Sequence, residues 1–258
     1  MTASINPATD PVAESVAGSV AGSVARPVEA TAETAEHLVE HVLEVLDEVK
    51  PKLRGWLHAA IAPLSLVAGV VLITLSPTPA TRLGSAVFAM SALVLFTVSA
   101  TMHRGRWAPR ANLFLRRLDH ASIFLLIAGS YTPFALLLLE GATRNTLLTV
   151  AWGGAALGIV FRVFWDSAPR WLYTLIYFAL GWAAVFFFPD FMATGSTSVF
   201  ALLVVGGLLY TVGGVVYGLK RPNPNPTWFG FHEIFHALTI AAFITHYIGV
   251  SMATYSLR

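Results

Sequence analysis

His232 and His236 stand four residues apart, and that spacing is the first hint of chemistry in this sequence. On a helix it puts both imidazoles on one face, where they can hold one metal ion. Two further ionisable residues, His103 and Asp119, stand at the ends of long apolar stretches. A third histidine would complete a His₃ set with its fourth position open to water, which is the arrangement of catalytic rather than structural zinc. Imidazole and carboxylate without thiolate suit zinc among the divalent metals. Residues 232–236 also read His-Glu-Ile-Phe-His, the H-E-x-x-H pattern in which the glutamate is the base of a metalloprotease. Glu233, however, is rotated about 100° from His232 around a helix, and no third zincin ligand follows at the usual spacing. An intramembrane metalloprotease is therefore the alternative enzyme. Asp119 also has a plainer reading, an ion pair with Arg116 or Arg117.

The elements that must position these residues are set by composition. The chain has 258 residues, 56% of them apolar and only 12% charged. Soluble domains carry about 25% charged residues, so this chain has too few to coat a water-facing surface. The fold class is all-α, a seven-transmembrane helix bundle. The spans fall at about 57–75, 83–103, 119–139, 146–164, 171–189, 199–219 and 230–251, each near the roughly 20 apolar residues that cross a bilayer. Pro77, Pro79, Gly141, Pro169, Pro189 and the run Pro222–Pro226 punctuate them. Short links make neighbouring helices antiparallel.

Loop charge gives the bundle a direction. One side collects Lys50, Lys52, Arg54, Arg104, Arg106, Arg110, Arg116, Arg117, Arg162, Arg170, Lys220 and Arg221; the other holds Arg82, Arg144 and Arg258. The positive-inside rule then predicts a cytoplasmic N-terminus and an outside C-terminus. That direction puts His103, Asp119, His232 and His236 at one depth, near the inner leaflet. Ionisable residues at membrane depth are costly and mark function by default.

Other features exclude or frame. The absence of cysteine rules out disulfides, thiolate ligands and cysteine nucleophiles. Net charge is +2, and the basic residues sit in short clusters, so there is no broad face for nucleic acid. Residues 1–35 read as a disordered low-complexity tail without the pattern of a cleavable signal peptide. Residues 36–51 read as an amphipathic helix with an acidic polar face, and 52–258 as the transmembrane domain. Glycines in the fourth and sixth spans, among them Gly153, Gly154, Gly158, Gly206, Gly207, Gly213 and Gly214, predict close helix packing.

Five segments in order carry a family resemblance: Arg54-Gly-Trp-Leu-His58, Ser99-Ala-Thr-Met-His103-Arg104, Leu118-Asp-His-Ala-Ser-Ile, Ala128-Gly-Ser-Tyr-Thr-Pro133 and Phe231-His-Glu-Ile-Phe-His236. Gly213, Gly214 and Tyr217 agree with them. Over residues 52–251 the chain resembles the bacterial hemolysin III proteins, which belong with the progestin and adiponectin receptor family. The resemblance implies zinc held by His103, His232 and His236, an aspartate at Asp119 that holds or activates the zinc-bound water, and a serine at Ser99 one turn before the first histidine. Through the related alkaline ceramidases it also implies hydrolysis of a lipid amide or ester, with a membrane lipid as substrate. The expected location is the plasma membrane of a bacterium, multi-pass. In this reading Glu233 is not the base, His120 lies outside the ligand set, and His58 caps the inner end of the first helix or has another role. Rival readings are a receptor-like regulatory protein with structural zinc and a pore-forming hemolysin.

Overall fold

The structure, a computed structural model, describes residues 51–165 and 167–257. The tail expected over 1–35 and, Pro51 apart, the amphipathic helix expected over 36–51 lie outside the described residues. All regular structure among the described residues is helical, and seven spans are long and apolar enough to cross a membrane. They comprise α1 (Trp56–Leu75), α2 (Pro79–Arg104), α3 (Pro109–Leu138), α4 (Gly141–Phe164), a broken fifth span, α7 (Thr197–Leu219) and α8 (Phe231–Tyr255). The fifth span runs as α5 (Arg170–Gly181), a 3₁₀ turn (Trp182–Phe187) and α6 (Phe188–Thr194).

Local chemistry sets where the helices start. Thr78 and Thr81 form a reciprocal cap at α2, with Thr81 N donating to Thr78 Oγ1 at 3.2 Å and Thr78 N donating to Thr81 Oγ1 at 2.9 Å. Pro79 and Pro109 begin α2 and α3, where their missing N–H costs nothing. The third span therefore starts ten residues before the 119 expected from hydropathy, and Asp119 lies inside a helix rather than at its head. Hydropathy marks the hydrocarbon-facing stretch, whereas backbone hydrogen bonding carries the helix on into the polar interface. The fifth span differs also. Pro189 lacks a donor and its ring crowds the carbonyl four residues back, so the regular helix breaks over Trp182–Phe187 and restarts at Phe188, with the proline in its first turn. Tyr131 of α3 serves the break: its hydroxyl lies against the carbonyls of Leu180 and Gly181 and accepts from Ala184 N at 3.2 Å.

The helices alternate in direction along the chain. α2 packs on α1 and α3, α3 on α4, α7 on α8, and α8 returns against α1, α2 and α3. α3 is the most buried of the seven spans. Phe88, Phe96, Phe124, Phe134, Leu147 and Val250 fill the core. Leu64, Val67, Leu157, Phe164 and Phe186 face outward, as lipid-facing residues do. The expected glycine packing is met in part. Phe124 lies against Gly158, Leu180 against Gly154, Phe178 against Gly214 and His246 against Gly206, each where a Cβ would overlap, while Gly153 and Gly207 adjoin open space.

Candidate metal centre

One end of the bundle gathers the start of α1, the end of α2, the start of α3 and the start of α8. Gly55 permits the close approach of α1 to α2. Its φ is +79°, a conformation open mainly to glycine, and a Cβ there would lie 2.7 Å from His103 Cβ. His103 thus sits in the last turn of α2 directly against the entry to α1. On α8, Glu233 fixes the first turn. Its Oε2 accepts from Gly230 N at 2.7 Å, and its Oε1 accepts from Arg54 Nε at 2.7 Å. Glu233 is fully buried, and both oxygens are committed. It caps α8 and ties it to the α1 entry, which sets the direction in which His232 and His236 point.

The three histidines expected to act together do converge. One ligand nitrogen from each of His103, His232 and His236 lies within 4.8 Å of the others. His103 Nε2 and His232 Nε2 are 3.2 Å apart. Tetrahedral zinc with Zn–N of about 2.05 Å separates its ligand nitrogens by about 3.3 Å, so the spacing of this pair fits such an ion. Asp119 Oδ2 lies 3.6 Å from His103 Nε2, beside the cluster. Ser99 Oγ, one turn before His103, is buried and has no hydrogen-bond partner among the described residues. A buried hydroxyl left unmet is costly, and here it lines the same cavity as the histidines.

His58 does not cap α1. Its ring is buried and stacks on His236, with centroids 3.8 Å apart and planes 14° off parallel, while Phe96 meets its edge. Both its nitrogens lack partners among the described residues. It fixes the plane of the His236 ring. His120 turns away from the three histidines, toward Arg162, the Arg116 carbonyl and, at 3.3 Å, the Tyr217 hydroxyl.

A cavity of about 440 Å³ opens from the cluster into the bundle between α3, the fifth span, α7 and α8. Arg162 of α4 lies on its wall, fully buried, with its guanidinium over the Tyr173 ring at 4.7 Å. Loop-charge asymmetry alone places Arg162 with the topology-setting residues. Its place inside the apolar stretch 146–164 was the available signal, since a charge at that depth needs a polar interior to face.

Fold and cluster together define a seven-span helical membrane protein with a candidate metal centre at one end of its bundle. A family model described as haemolysin-III related matches residues 46–247, and the chain belongs to that family. It is 36% identical over 146 residues to the hemolysin-3 homolog of Bacillus subtilis, covering 56% of this chain and 68% of that one. It is 32% identical over 175 residues to hemolysin-3 of Bacillus cereus, covering 66% and 80%. It is also 31% identical over 157 residues to the adiponectin receptor protein of Drosophila melanogaster, covering 54% of this chain and 35% of the receptor.

Proposed function

We propose that this chain is a zinc-dependent hydrolase of a lipid amide or ester, set in a bacterial plasma membrane with its histidine cluster near the cytoplasmic face. The observation that carries the reading is the convergence of His103, His232 and His236 beside Asp119 and the unpartnered Ser99 hydroxyl, at the head of a cavity walled by apolar side chains. The loop-charge asymmetry supports the orientation.

His103, His232 and His236 would hold the ion. Bound there, zinc would supply Lewis acidity, polarising a carbonyl and acidifying water. The remaining steps fall to the chain. Asp119 takes a proton from the attacking water as its oxygen bonds to the carbonyl carbon. Ser99 donates its hydroxyl hydrogen to the carbonyl oxygen as charge develops there. Asp119 then passes the proton to the leaving nitrogen or oxygen as the C–N or C–O bond breaks. The cavity wall holds the acyl chain and keeps bulk water away. Glu233 is not available as base, because Arg54 and Gly230 N–H occupy both its oxygens; this argues against the metalloprotease reading.

Metal analysis of purified protein, wild type beside His236→Ala, followed by turnover of ceramide-like amides and simple lipid esters, tests the reading. Stoichiometric zinc lost in the variant, with turnover lost alongside, is expected. A folded, metal-free wild type would overturn it. The same histidines join α2 to α8, so a metal would also tie two helices together. Bound zinc without turnover, with a lower melting temperature on chelation, would assign the site to a receptor-like role instead.

A further inference from the structure

The cavity continues beyond the histidine cluster to Tyr210 on α7 and His246 on α8. His246 is ten residues past His236 on the same helix, roughly 15 Å along its axis. In a hydrocarbon core about 30 Å thick, that is close to the middle of the membrane. Polar atoms at this depth have no headgroup to bond and must be met from within the bundle.

The place of His246 is built. Its ring lies where a Cβ on Gly206 would overlap it, and the Phe134 and Tyr210 rings flank it edge-on at 5.7 and 5.6 Å. Its Nε2 lies 3.1 Å from the Leu203 carbonyl. A carbonyl only accepts, so Nε2 carries the proton and the neutral ring presents a lone pair at Nδ1. Nδ1 is buried with no partner among the described residues, and so is the Tyr210 hydroxyl. Three neighbouring hydroxyls along the wall are spent: Ser130 on the Ile127 carbonyl, Thr239 on Phe235 and Thr211 on Gly207.

We propose that Tyr210 and His246 form a second polar subsite, which takes a hydroxyl group carried partway along a lipid acyl chain whose carbonyl end lies at the histidine cluster. The hydroxyl donates to His246 Nδ1 and accepts from the Tyr210 O–H, so both groups are satisfied at once. A keto group would accept from Tyr210 and leave Nδ1 unmet, and a plain hydrocarbon would meet neither. The inference rests on the cavity being a lipid site, as proposed above, but not on bound metal or turnover.

The test is binding. Purified full-length protein is titrated with oleic acid and with ricinoleic acid, the same chain bearing a mid-chain hydroxyl; oleic acid hydroxylated beside its carboxyl serves as the positional control. Tyr210→Phe removes only a hydroxyl that has no partner among the described residues, so its melting temperature should match wild type. Wild type should prefer ricinoleic acid by about tenfold, near the worth of one to two net hydrogen bonds. Tyr210→Phe should keep oleic acid affinity and lose the preference. Equal binding of the two acids by wild type, a preference that survives Tyr210→Phe, or an equal gain from the positional control would each overturn the subsite. The same preference in His236→Ala, shown free of metal, supports the subsite even if the hydrolase reading has failed. Binding of none of the acids overturns both.

Discussion

At the residue scale, the histidine cluster divides work among side chains that look alike in sequence. Asp119 stands beside the converging nitrogens, whereas Glu233 is locked into a cap and an ion pair. The two carboxylates should therefore respond oppositely. Asp119→Asn is expected to keep its metal and lose turnover by about 10²–10⁴, the usual contribution of a general base; metal analysis and a lipid assay on one preparation check this. Glu233→Ala should lower stability by about 2 kcal/mol, a buried-pair loss discounted for the partly exposed Arg54. Thermal unfolding in detergent measures it, and an unchanged melting temperature with abolished turnover would restore the H-E-x-x-H reading. Ser99→Ala removes a hydroxyl that no other described residue uses. Turnover should fall by about 10²–10³ while the melting temperature holds, and parallel loss of both would make Ser99 structural.

At the element scale, the centre depends on how closely α1 meets α2 and on how α8 begins. Gly55 serves the first through its positive φ and its missing side chain. Gly55→Ala should cost about 1–2 kcal/mol for the backbone alone and should lower zinc occupancy by displacing His103, so titration with a competing chelator reads it directly. Retained affinity in a folded variant would show that the approach of α1 is not needed. The i,i+4 spacing of His232 and His236 was legible from sequence because a helix places those positions on one face. The starts of α2 and α3 and the break at Trp182–Phe187 were not, because hydropathy reports apolar length and is blind to capping and to a proline that restarts a helix.

At the scale of the whole molecule, the bundle turns apolar side chains both inward and outward, and gathers its histidine cluster at one end, at the head of an internal cavity. Its direction across the membrane can be read with little interference, since the chain has no cysteine of its own. Asn225→Cys, between α7 and α8, should resist a membrane-impermeant maleimide on intact cells, and Ser256→Cys, past α8, should react; the reverse pattern would invert the orientation. The sequence by itself determined seven spans and a shared depth for His103, Asp119, His232 and His236, because apolar length and charge asymmetry are properties of the chain read in order. Only the tertiary structure decided that the three histidine nitrogens converge, that His58 stacks on His236, that Glu233 is spent on Arg54 and Gly230, and that Arg162 lies buried on the cavity wall. Depth fixes one coordinate of a helical residue; the two others come from how the helices turn and pack, through contacts between residues far apart in the chain.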